Sequence, residues 1–563
     1  MFKYKNPILI VLLLFFLFFS FYPTLYEISQ SPKLKIKNRD FILEHNYYWP
    51  DFNLYLSKVR QGYENRWLAV EKYTSEPHRG SIIQIFYLYL GKIGSILKIE
   101  PNYAYQLGRI IFSPLLLIII LLLITFYFRN PLWQILAFII TIISGSFPNI
   151  VVTNGQMQIS RYMEWWSNID SLQRLAFIPH ILFGQVVSFY LLYQLTIKKP
   201  IYPPKLQRRR ATKLFFYILL ANATGLVFPP SLITLLGVLI LLEIINFIKK
   251  KYIIRNIPPQ RDPASGGTLY LILFSLPALL YLFFTTKFLP WSALVNFHRN
   301  HPMMVPLDQY ILGTGPIIFL GFLGSILAIM NRKRQYYPLI LWIVVTFLFA
   351  SLFSVVKEQS PLRFTQTGLF IPLGILGSYL LLEIWRFIKF RNLYKFCYLL
   401  FVICYLLINL FIMKTSLKWQ LSFINQRIGA DIPLVPYPPQ TMYPLTGWME
   451  AIRWLRHNTP NDQVILAEIT AGNYIPAYSG NYVYFGQSNT VDYNRKTSEV
   501  DQFFLGQMSA SQAQLFLQNG RIKYIFFGPQ EKEKLNYNLL EKLYPFINLI
   551  YSNPHVFIYS VSR

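Results

Sequence analysis

Residues 208–251 read RRRATKLFFYILLANATGLVFPPSLITLLGVLILLEIINFIKKK, and this stretch decides the class of fold. It contains two apolar runs, 214–228 and 231–247, which are separated by Pro229-Pro230 and bounded by a basic triplet at each end. Apolar runs of about 15 to 25 residues are typical of helices that cross a bilayer. Because clusters of Lys and Arg stay on the cytoplasmic side of a membrane, both triplets belong on one side. The stretch therefore predicts two short membrane spans joined by a turn at the two prolines.

The composition of the whole chain favours a membrane protein. Of 563 residues, 54% are hydrophobic and 14% are charged, whereas roughly a quarter of the residues of a soluble domain are charged. The net charge of +28 would suggest a nucleic-acid partner in a soluble protein. Residues 414–563 contain 13 basic and 10 acidic side chains, which leaves +25 in residues 1–413, in short clusters between apolar runs. That distribution predicts membrane orientation signals and no nucleic-acid partner. Cys397 and Cys404 share one apolar run, which argues against a disulfide framework and a cysteine zinc site.

Nine further apolar runs bring the predicted number of spans to eleven. The first of them is read as an uncleaved span rather than a signal peptide, because it is long and no small-residue cleavage site follows it. The run Ser81–Leu97 is short, and as a span it would move every later basic cluster to the other side. With Ser81 and Gln84 in a capping-box pattern, it is predicted to be an interfacial helix. The nine runs are Pro7–Tyr26, 103–128, 131–148, 174–196, 269–286, 310–330, 338–355, 367–387 and 396–413.

A cytoplasmic N-terminus places every strong basic cluster on the cytoplasmic side of the plasma membrane. These clusters are Arg129, Lys198-Lys199 with Arg208–Arg210, Lys249–Lys251, Arg332–Arg334 and Arg386–Lys395. The predicted outer loops are then 27–102, 149–173, 287–309 and 356–366. The predicted domains are a transmembrane domain, 1–413, and an extracytoplasmic α/β domain, 414–563, with a hinge at Pro433–Pro444. In the second domain the pattern predicts helices at Gly447–His457 and Asp501–Leu517, and strands at Val464–Glu468, Tyr482–Phe485, Ile522–Phe527, around Leu549 and at Val556–Val561.

The outer loop 27–102 carries the candidate catalytic residues, Asp51 and Glu76. Each is predicted to begin an amphipathic helix beside an aromatic belt. Both also have a structural interpretation, since Asp51 after Pro50 suits a helix N-cap and Glu76 before Pro77 suits a turn. The apolar runs have almost no charged residue at mid-depth, which argues against a proton-coupled transporter or channel.

This order of elements resembles the GT-C glycosyltransferases, membrane enzymes that use polyprenyl-phosphate sugars. The resemblance rests on a first span, an outer loop with an acidic residue early in a juxtamembrane helix, a second interfacial helix after a turn with Pro77 and His78, many spans and an outer soluble domain. It is strongest to the bacterial branch related to protein O-mannosyltransferases and lipid A aminoarabinose transferases. It implies that Asp51 is the general base. Many members carry paired acids where this chain has Asp51 followed by Phe52, which weakens the case for a metal held by two carboxylates.

Transfer from a lipid-phosphate sugar leaves a phosphate group, which needs cationic partners. The candidate substrate-binding residues are Arg363, Arg109, Arg174 and His78. An interfacial anchoring role for Arg363 is the alternative. No metal ligands are assigned, because His298 and His301 form only a weak metal pattern, and a divalent metal cofactor is left open. Loops at 470–480 and 489–493 are either acceptor-binding loops or ordinary surface turns.

The sequence thus predicts an inverting glycosyltransferase that moves a hexosyl or pentosyl group from a polyprenyl-phosphate carrier. The acceptor would be an extracytoplasmic glycan, lipid or protein, and membrane lipids would surround the spans. The alternative function is a non-catalytic membrane scaffold or a lipid-linked glycan flippase. A flippase is expected to line its middle with charged residues, which this chain lacks.

The alignment of the basic clusters predicts that residues 414–563 are extracytoplasmic and that Gln207–Arg210 face the cytoplasm. Reporter fusions that are active in opposite compartments measure this directly. A C-terminal reporter that is active in the cytoplasm would contradict the orientation, and the outer-face active site with it.

Overall fold

The structure is a computed structural model that describes residues 7–44, 49–153, 155–197, 207–253, 264–388, 392–432, 434–435, 442–535 and 540–562. Of the sequence-based predictions, Lys198-Lys199 and most of the hinge at Pro433–Pro444 lie outside these residues. The chain forms two compact units. Unit 1 consists of Met1–Pro23, Arg109–Tyr281 and His301–Gln420, and unit 2 consists of Thr24–Gly108, Leu282–Asn300 and Leu421–Arg563.

Helices make up most of the described chain. Up to residue 300 they are α1 Pro7–Ile36, α2 Trp49–Tyr63, α3 Ile85–Leu97, α4 Pro101–Tyr127, α5 Pro131–Ile143, α6 Pro179–Leu192, α7 Gln207–Val227, α8 Pro229–Ile253, α9 Ala264–Thr285 and α10 Trp291–Asn300. Beyond it they are α11 Leu307–Thr314, α12 Ile317–Met330, α13 Tyr337–Val356, α14 Phe370–Phe387, α15 Asn392–Gly429, α16 Thr446–Asn458, α17 Ile469–Tyr478, α18 Tyr493–Phe504, α19 Ala510–Asn519 and α20 Pro529–Lys534.

Seven of the described helices are long and apolar enough to cross a membrane, and an eighth span results if α11 and α12, which are bent by 90°, count as one. The seven are α1, α4, α8, α9, α13, α14 and α15. The predicted runs 131–148, 174–196 and 214–228 fall on the shorter apolar helices α5, α6 and α7. The predicted fold class, a polytopic helical membrane protein, is confirmed. The number of eleven spans stays a prediction.

The start of α3 differs from the prediction. The helix begins at Ile85, four residues after Ser81, and Gln84 has no capping hydrogen bond from its side chain. The Ser81 hydroxyl instead accepts a hydrogen bond from the Ile83 amide at 3.1 Å. The capping box proposed for this helix is therefore wrong, because Ser81 closes a turn that precedes the helix.

In unit 1, the strands β1 Pro148–Thr153 and β2 Gln156–Arg161 form a hairpin. The strands of unit 2 are β3 Val464–Leu466, β4 Tyr482–Val483, β5 Ile522–Phe527, β6 Ile547–Ser552 and β7 Phe557–Val561. They form one five-stranded sheet in the order β4-β3-β5-β7-β6. The first three sheet strands pair in parallel and β7 pairs antiparallel to both neighbours. Buried aromatic side chains fill the core, among them Phe503, Phe527 and Tyr559.

The strands predicted for residues 464–561 all occur, but one helix prediction and one loop prediction for this part of the chain are wrong. The single helix Asp501–Leu517 is two helices, α18 and α19, which are separated at Gly506, where φ is +69° and glycine is favoured. Residues 469–478, predicted as a turn-rich loop, form α17. The boundary at 413/414 between two domains stays a prediction, and unit 2 also contains residues 24–108 and 282–300.

Close backbone approach brings α12 and α14 together in unit 1. A Cβ atom built on Gly324 would overlap the carbonyl oxygen of Leu376, and one built on Gly321 would lie 2.6 Å from a Leu373 methyl. Small residues at such crossings let helices pack through their backbones in a membrane, where no hydrophobic effect drives helices together.

We expect Gly324→Ala to lower the free energy of unfolding by about 1–3 kcal/mol, because the added methyl meets a backbone carbonyl that cannot rotate away. Thermal unfolding in detergent measures the effect. Gly429→Ala is the matched control, since no atom of the described residues lies within 4 Å of a Cβ atom built there. Equal losses of stability in the two variants would contradict the proposed helix contact.

Candidate functional site

Asp51 lies in the first turn of α2 and is half-buried. Because the helix begins at Trp49, Asp51 is its third residue and not its N-cap, so the capping interpretation is wrong. The exposed backbone amides of a helix N-terminus stabilise a negative charge in this turn. The position therefore favours an ionised carboxylate.

The helix behind Asp51 is firmly held within unit 2. Residues 52–62 are all buried. The Asn53 amide donates a hydrogen bond to the Asn473 side chain at 2.8 Å. The ring of Tyr55 stacks on Tyr87 of α3 with centroids 4.5 Å apart. Asp51 thus stands at the end of a rigid element, as precise positioning of a reacting group requires.

Glu76 is engaged in an ion pair. Its carboxylate lies 2.7 Å from the ammonium of Lys496, whose side chain is fully buried while that of Glu76 is 27% exposed. Burial lowers the pKa of Lys496, and the ion pair with Glu76 opposes that shift. Thr74 also donates a hydrogen bond to Glu76. The expectation that Glu76 begins a helix is wrong, because α3 starts at Ile85 and Glu76 lies in the preceding loop.

His78 holds the same loop together through both ring nitrogens. Its Nε2 accepts a hydrogen bond from the Glu71 amide at 2.8 Å. Its Nδ1 lies 2.8 Å from the Glu76 carbonyl oxygen, so it must carry the proton and donate. Burial lowers the pKa of His78, which keeps the ring neutral. A neutral ring with both nitrogens in use fixes the loop from Glu71 to His78.

Unit 2 also contains buried charges that the sequence pattern did not reveal. Lys58 and Glu71 form an ion pair at 3.1 Å with side chains that are 0% and 2% exposed. Arg427 lies 2.9 Å from Glu44 and 3.5 Å from Glu27, and all three side chains are 1% exposed. The partners in the second group are nearly 400 residues apart in the chain. Only the fold brings them together, so no local spacing could have indicated them.

The candidate arginines lie in unit 1 and differ in the hydrogen bonds that they donate to the rest of the chain. Arg109 is buried and donates to the Ala176 carbonyl at 2.8 Å. Arg174 is buried over the Phe370 ring and donates to the carbonyls of Thr141 and Ile142 at the end of α5. A cation there complements the negative end of the helix dipole. Arg363 lies in the 3₁₀ helix Pro361–Gln366, and its Nε is buried without a hydrogen-bond partner among the described residues.

A further buried arginine, Arg161, is not among the residues that the sequence predicts to be functional. It is 5% exposed, pairs with Asp170 and lies 5.4 Å from the Trp419 ring. Asp170 also accepts hydrogen bonds from the amides of Leu172 and Gln173 at 2.8 and 3.0 Å. A small cavity beside this pair is lined by Ser146, Tyr162, Ser171 and Gly313, among others. The pair orders the chain between β2 and α6.

The structure thus brings Glu76 and His78 into one loop of unit 2, the unit that also contains Asp51, and it places the three candidate arginines in unit 1. The pairing of Asp51 with Arg363 stays a prediction, as do the catalytic and substrate-binding roles. Among the described residues, no three His, Cys, Asp or Glu side chains are grouped so that they could hold a metal ion.

Comparison with known structures identifies the fold. The chain is similar to the apo form of the oligosaccharyltransferase from Archaeoglobus fulgidus, with a TM-score of 0.53 and 13% identity, over 100% of this chain and 75% of that one. The archaeal oligosaccharyltransferase AglB from Archaeoglobus fulgidus, in complex with an inhibitory peptide and a dolichol-phosphate, matches with a TM-score of 0.50 and 12% identity, over 90% of this chain and 69% of that one. ArnT from Cupriavidus metallidurans bound to undecaprenyl phosphate matches with a TM-score of 0.48 and 10% identity, over 95% and 96%.

Neither a protein-family model nor a curated protein matches the sequence. At these identities, the similarity to solved structures concerns the fold alone. The predicted resemblance in fold to the GT-C membrane glycosyltransferases is confirmed, since the archaeal oligosaccharyltransferase has a fold of that type.

We expect Glu76→Gln to destabilise the protein, because it leaves the buried ammonium of Lys496 without a counter-charge. The loss should be about 2–3 kcal/mol, below the 3–5 typical of a fully buried pair, since Glu76 is partly exposed. Thermal unfolding in detergent gives the change.

Two further variants make this test specific. Glu383→Gln removes the pair with Arg386, whose side chain is 61% exposed whereas that of Lys496 is buried, and should change stability by less than about 1 kcal/mol. The double variant Glu76→Gln/Lys496→Met removes the buried charge as well and should recover part of the loss. A double variant that is less stable than Glu76→Gln would show that charge burial is not the cause.

Proposed function

We propose that this protein is a glycosyltransferase that moves a sugar from a polyprenyl-phosphate carrier to an acceptor at the outer face of the plasma membrane. The observation that carries the proposal is the similarity of fold to the archaeal oligosaccharyltransferase over 100% of this chain. The similar archaeal oligosaccharyltransferase AglB forms a complex with a dolichol-phosphate, which supports a polyprenyl phosphate as the carrier here. The acceptor would be a glycan, a lipid or a protein.

In the proposed reaction Asp51 is the general base. Its carboxylate takes the proton of an acceptor hydroxyl while the hydroxyl oxygen attacks the anomeric carbon of the sugar. The bond from that carbon to the phosphate oxygen breaks on the opposite side, so the configuration inverts and polyprenyl phosphate leaves. The half-buried position of Asp51 at the start of a rigid helix supports this role.

Glu76 is the second candidate for the base, and its geometry supports it less well. Its carboxylate is already occupied by the ammonium of Lys496 at 2.7 Å and by the hydroxyl of Thr74. Its proposed part in the reaction is to fix the loop that also contains His78.

Arg363 is the proposed partner of the leaving phosphate. Arg109 and Arg174 already donate to backbone carbonyls, whereas Arg363 is only half-buried and keeps its Nε unbonded among the described residues. Guanidinium groups bind phosphate oxygens through parallel hydrogen bonds, which suits a leaving group that gains negative charge.

The alternative function is a membrane scaffold that keeps the fold without the reaction. The contacts of Glu76, His78 and Arg174 favour it, because each of these residues is engaged in holding the chain together. A scaffold needs no ionised carboxylate at residue 51, and this difference separates the two functions.

We expect Asp51→Asn to fold normally and to lose sugar transfer by about 10²–10⁴, the usual contribution of a positioned base. Asn has nearly the shape of Asp but cannot accept the proton. Transfer from radiolabelled polyprenyl-phosphate hexoses and pentoses measures the rate. The thermal shift caused by dolichyl or undecaprenyl phosphate measures binding of the carrier and should be unchanged in the variant.

Asp308→Asn is the matched control, since Asp308 also lies in the first turn of a helix, α11. It should retain full transfer. If neither lipid phosphate shifts the unfolding temperature of the wild type, the proposed carrier is wrong. Near-normal transfer by Asp51→Asn would remove Asp51 as the base.

A further inference from the structure

The hairpin formed by β1 and β2 carries an exposed apolar face. Its register pairs Ile150 with Ile159 and Val152 with Met157. Residues directly opposite each other in an antiparallel pair point to the same side of the sheet, and alternate residues share a face. These four apolar side chains therefore form one face, and they are 60%, 43%, 64% and 74% exposed, respectively.

The opposite face of the hairpin is polar. It carries Asn149 opposite Ser160 and Val151 opposite Gln158. Val151 is its one large apolar side chain outside the turn, and it is the least exposed of the hairpin's apolar residues at 39%. The hairpin is thus amphipathic across its two faces. An isolated two-stranded hairpin is only marginally stable in water, so its apolar face needs a surface to cover it.

The chain around the hairpin indicates what that surface is. No charged residue occurs between Arg129 and Arg161, so α5 and the hairpin form one uncharged segment. Only four residues, 144–147, separate the apolar helix α5 from the first strand. At most about 3.6 Å per residue, this connection keeps the base of the hairpin within roughly 18 Å of the end of α5. The base of the hairpin is also joined to a candidate membrane span, because the Phe147 amide donates to the Leu312 carbonyl of α11 at 2.9 Å and α11 with α12 counts as one such span.

We propose that the β1–β2 hairpin docks on the surface of the bilayer, with Ile150, Val152, Met157 and Ile159 in contact with lipid and the polar face towards water. The depth is limited by the backbone. The outer edges of a two-stranded hairpin have unpaired N–H and C=O groups, which are not tolerated in contact with hydrocarbon. The hairpin must therefore lie at the level of the headgroups, where water and lipid oxygens bind those groups.

Site-specific fluorescence on the full-length protein in phosphatidylcholine nanodiscs tests this docking. Cys397 and Cys404 are both exposed and are first replaced by Ser. Single cysteines at Val152→Cys and at Met157→Cys, on the apolar face, are then labelled with an environment-sensitive fluorophore. Gln158→Cys is the matched control, because it lies next to Met157 in sequence but on the opposite face.

The labels on the apolar face should have blue-shifted emission and should be quenched severalfold less by aqueous iodide than the label at residue 158. Spin-labelled lipids with the nitroxide close to the headgroup should quench them more strongly than lipids with the nitroxide near the chain end. Iodide quenching equal to that at residue 158 would overturn the proposal. Labels that are shielded from iodide but not quenched by any spin-labelled lipid would show that protein covers the face, and stronger quenching from the chain end would exclude docking at the headgroups.

Discussion

The free energy needed to move a charge out of water governs where this chain places its ionisable residues. In a bilayer only helices satisfy their backbone without water, and each charge placed there is costly. The spanning helices of unit 1 are accordingly apolar, and its buried arginines Arg109 and Arg174 each donate to backbone carbonyls. In unit 2 the same constraint is met by ion pairs, such as Lys58 with Glu71 and Arg427 with Glu44.

This constraint also separates the two candidate bases. A base must be able to contact the acceptor hydroxyl, and the Glu76 carboxylate is already occupied by the buried ammonium of Lys496 and by the Thr74 hydroxyl. Asp51 lies in the first turn of a helix, where backbone amides stabilise its charge. The two carboxylates, which look alike in the sequence, thus lie in different surroundings in the fold.

The sequence predicts those features that each segment determines by itself. An apolar run such as 338–355 forms a helix whatever its neighbours are, and β5 occupies the predicted residues 522–527. Features that depend on distant partners were missed or wrong. The pairing of Glu76 with Lys496 joins residues 420 positions apart. The helix α17 contains Gly472 and Pro476, which are typical of turns, and it forms because residues 470–477 are buried in unit 2.

The loop that contains Glu76 and His78 depends on the α/β part of unit 2 for its conformation. The Val483 amide of β4, the edge strand of the sheet, donates to the Lys72 carbonyl at 2.9 Å. Thr490 donates to the Tyr73 carbonyl at 2.8 Å, and Lys496 binds Glu76. Together these contacts cover an edge that would otherwise be open to pairing with other chains. The loop at residues 72–76 is therefore held by residues 483–496. The α/β part of unit 2 thus positions the acidic loop.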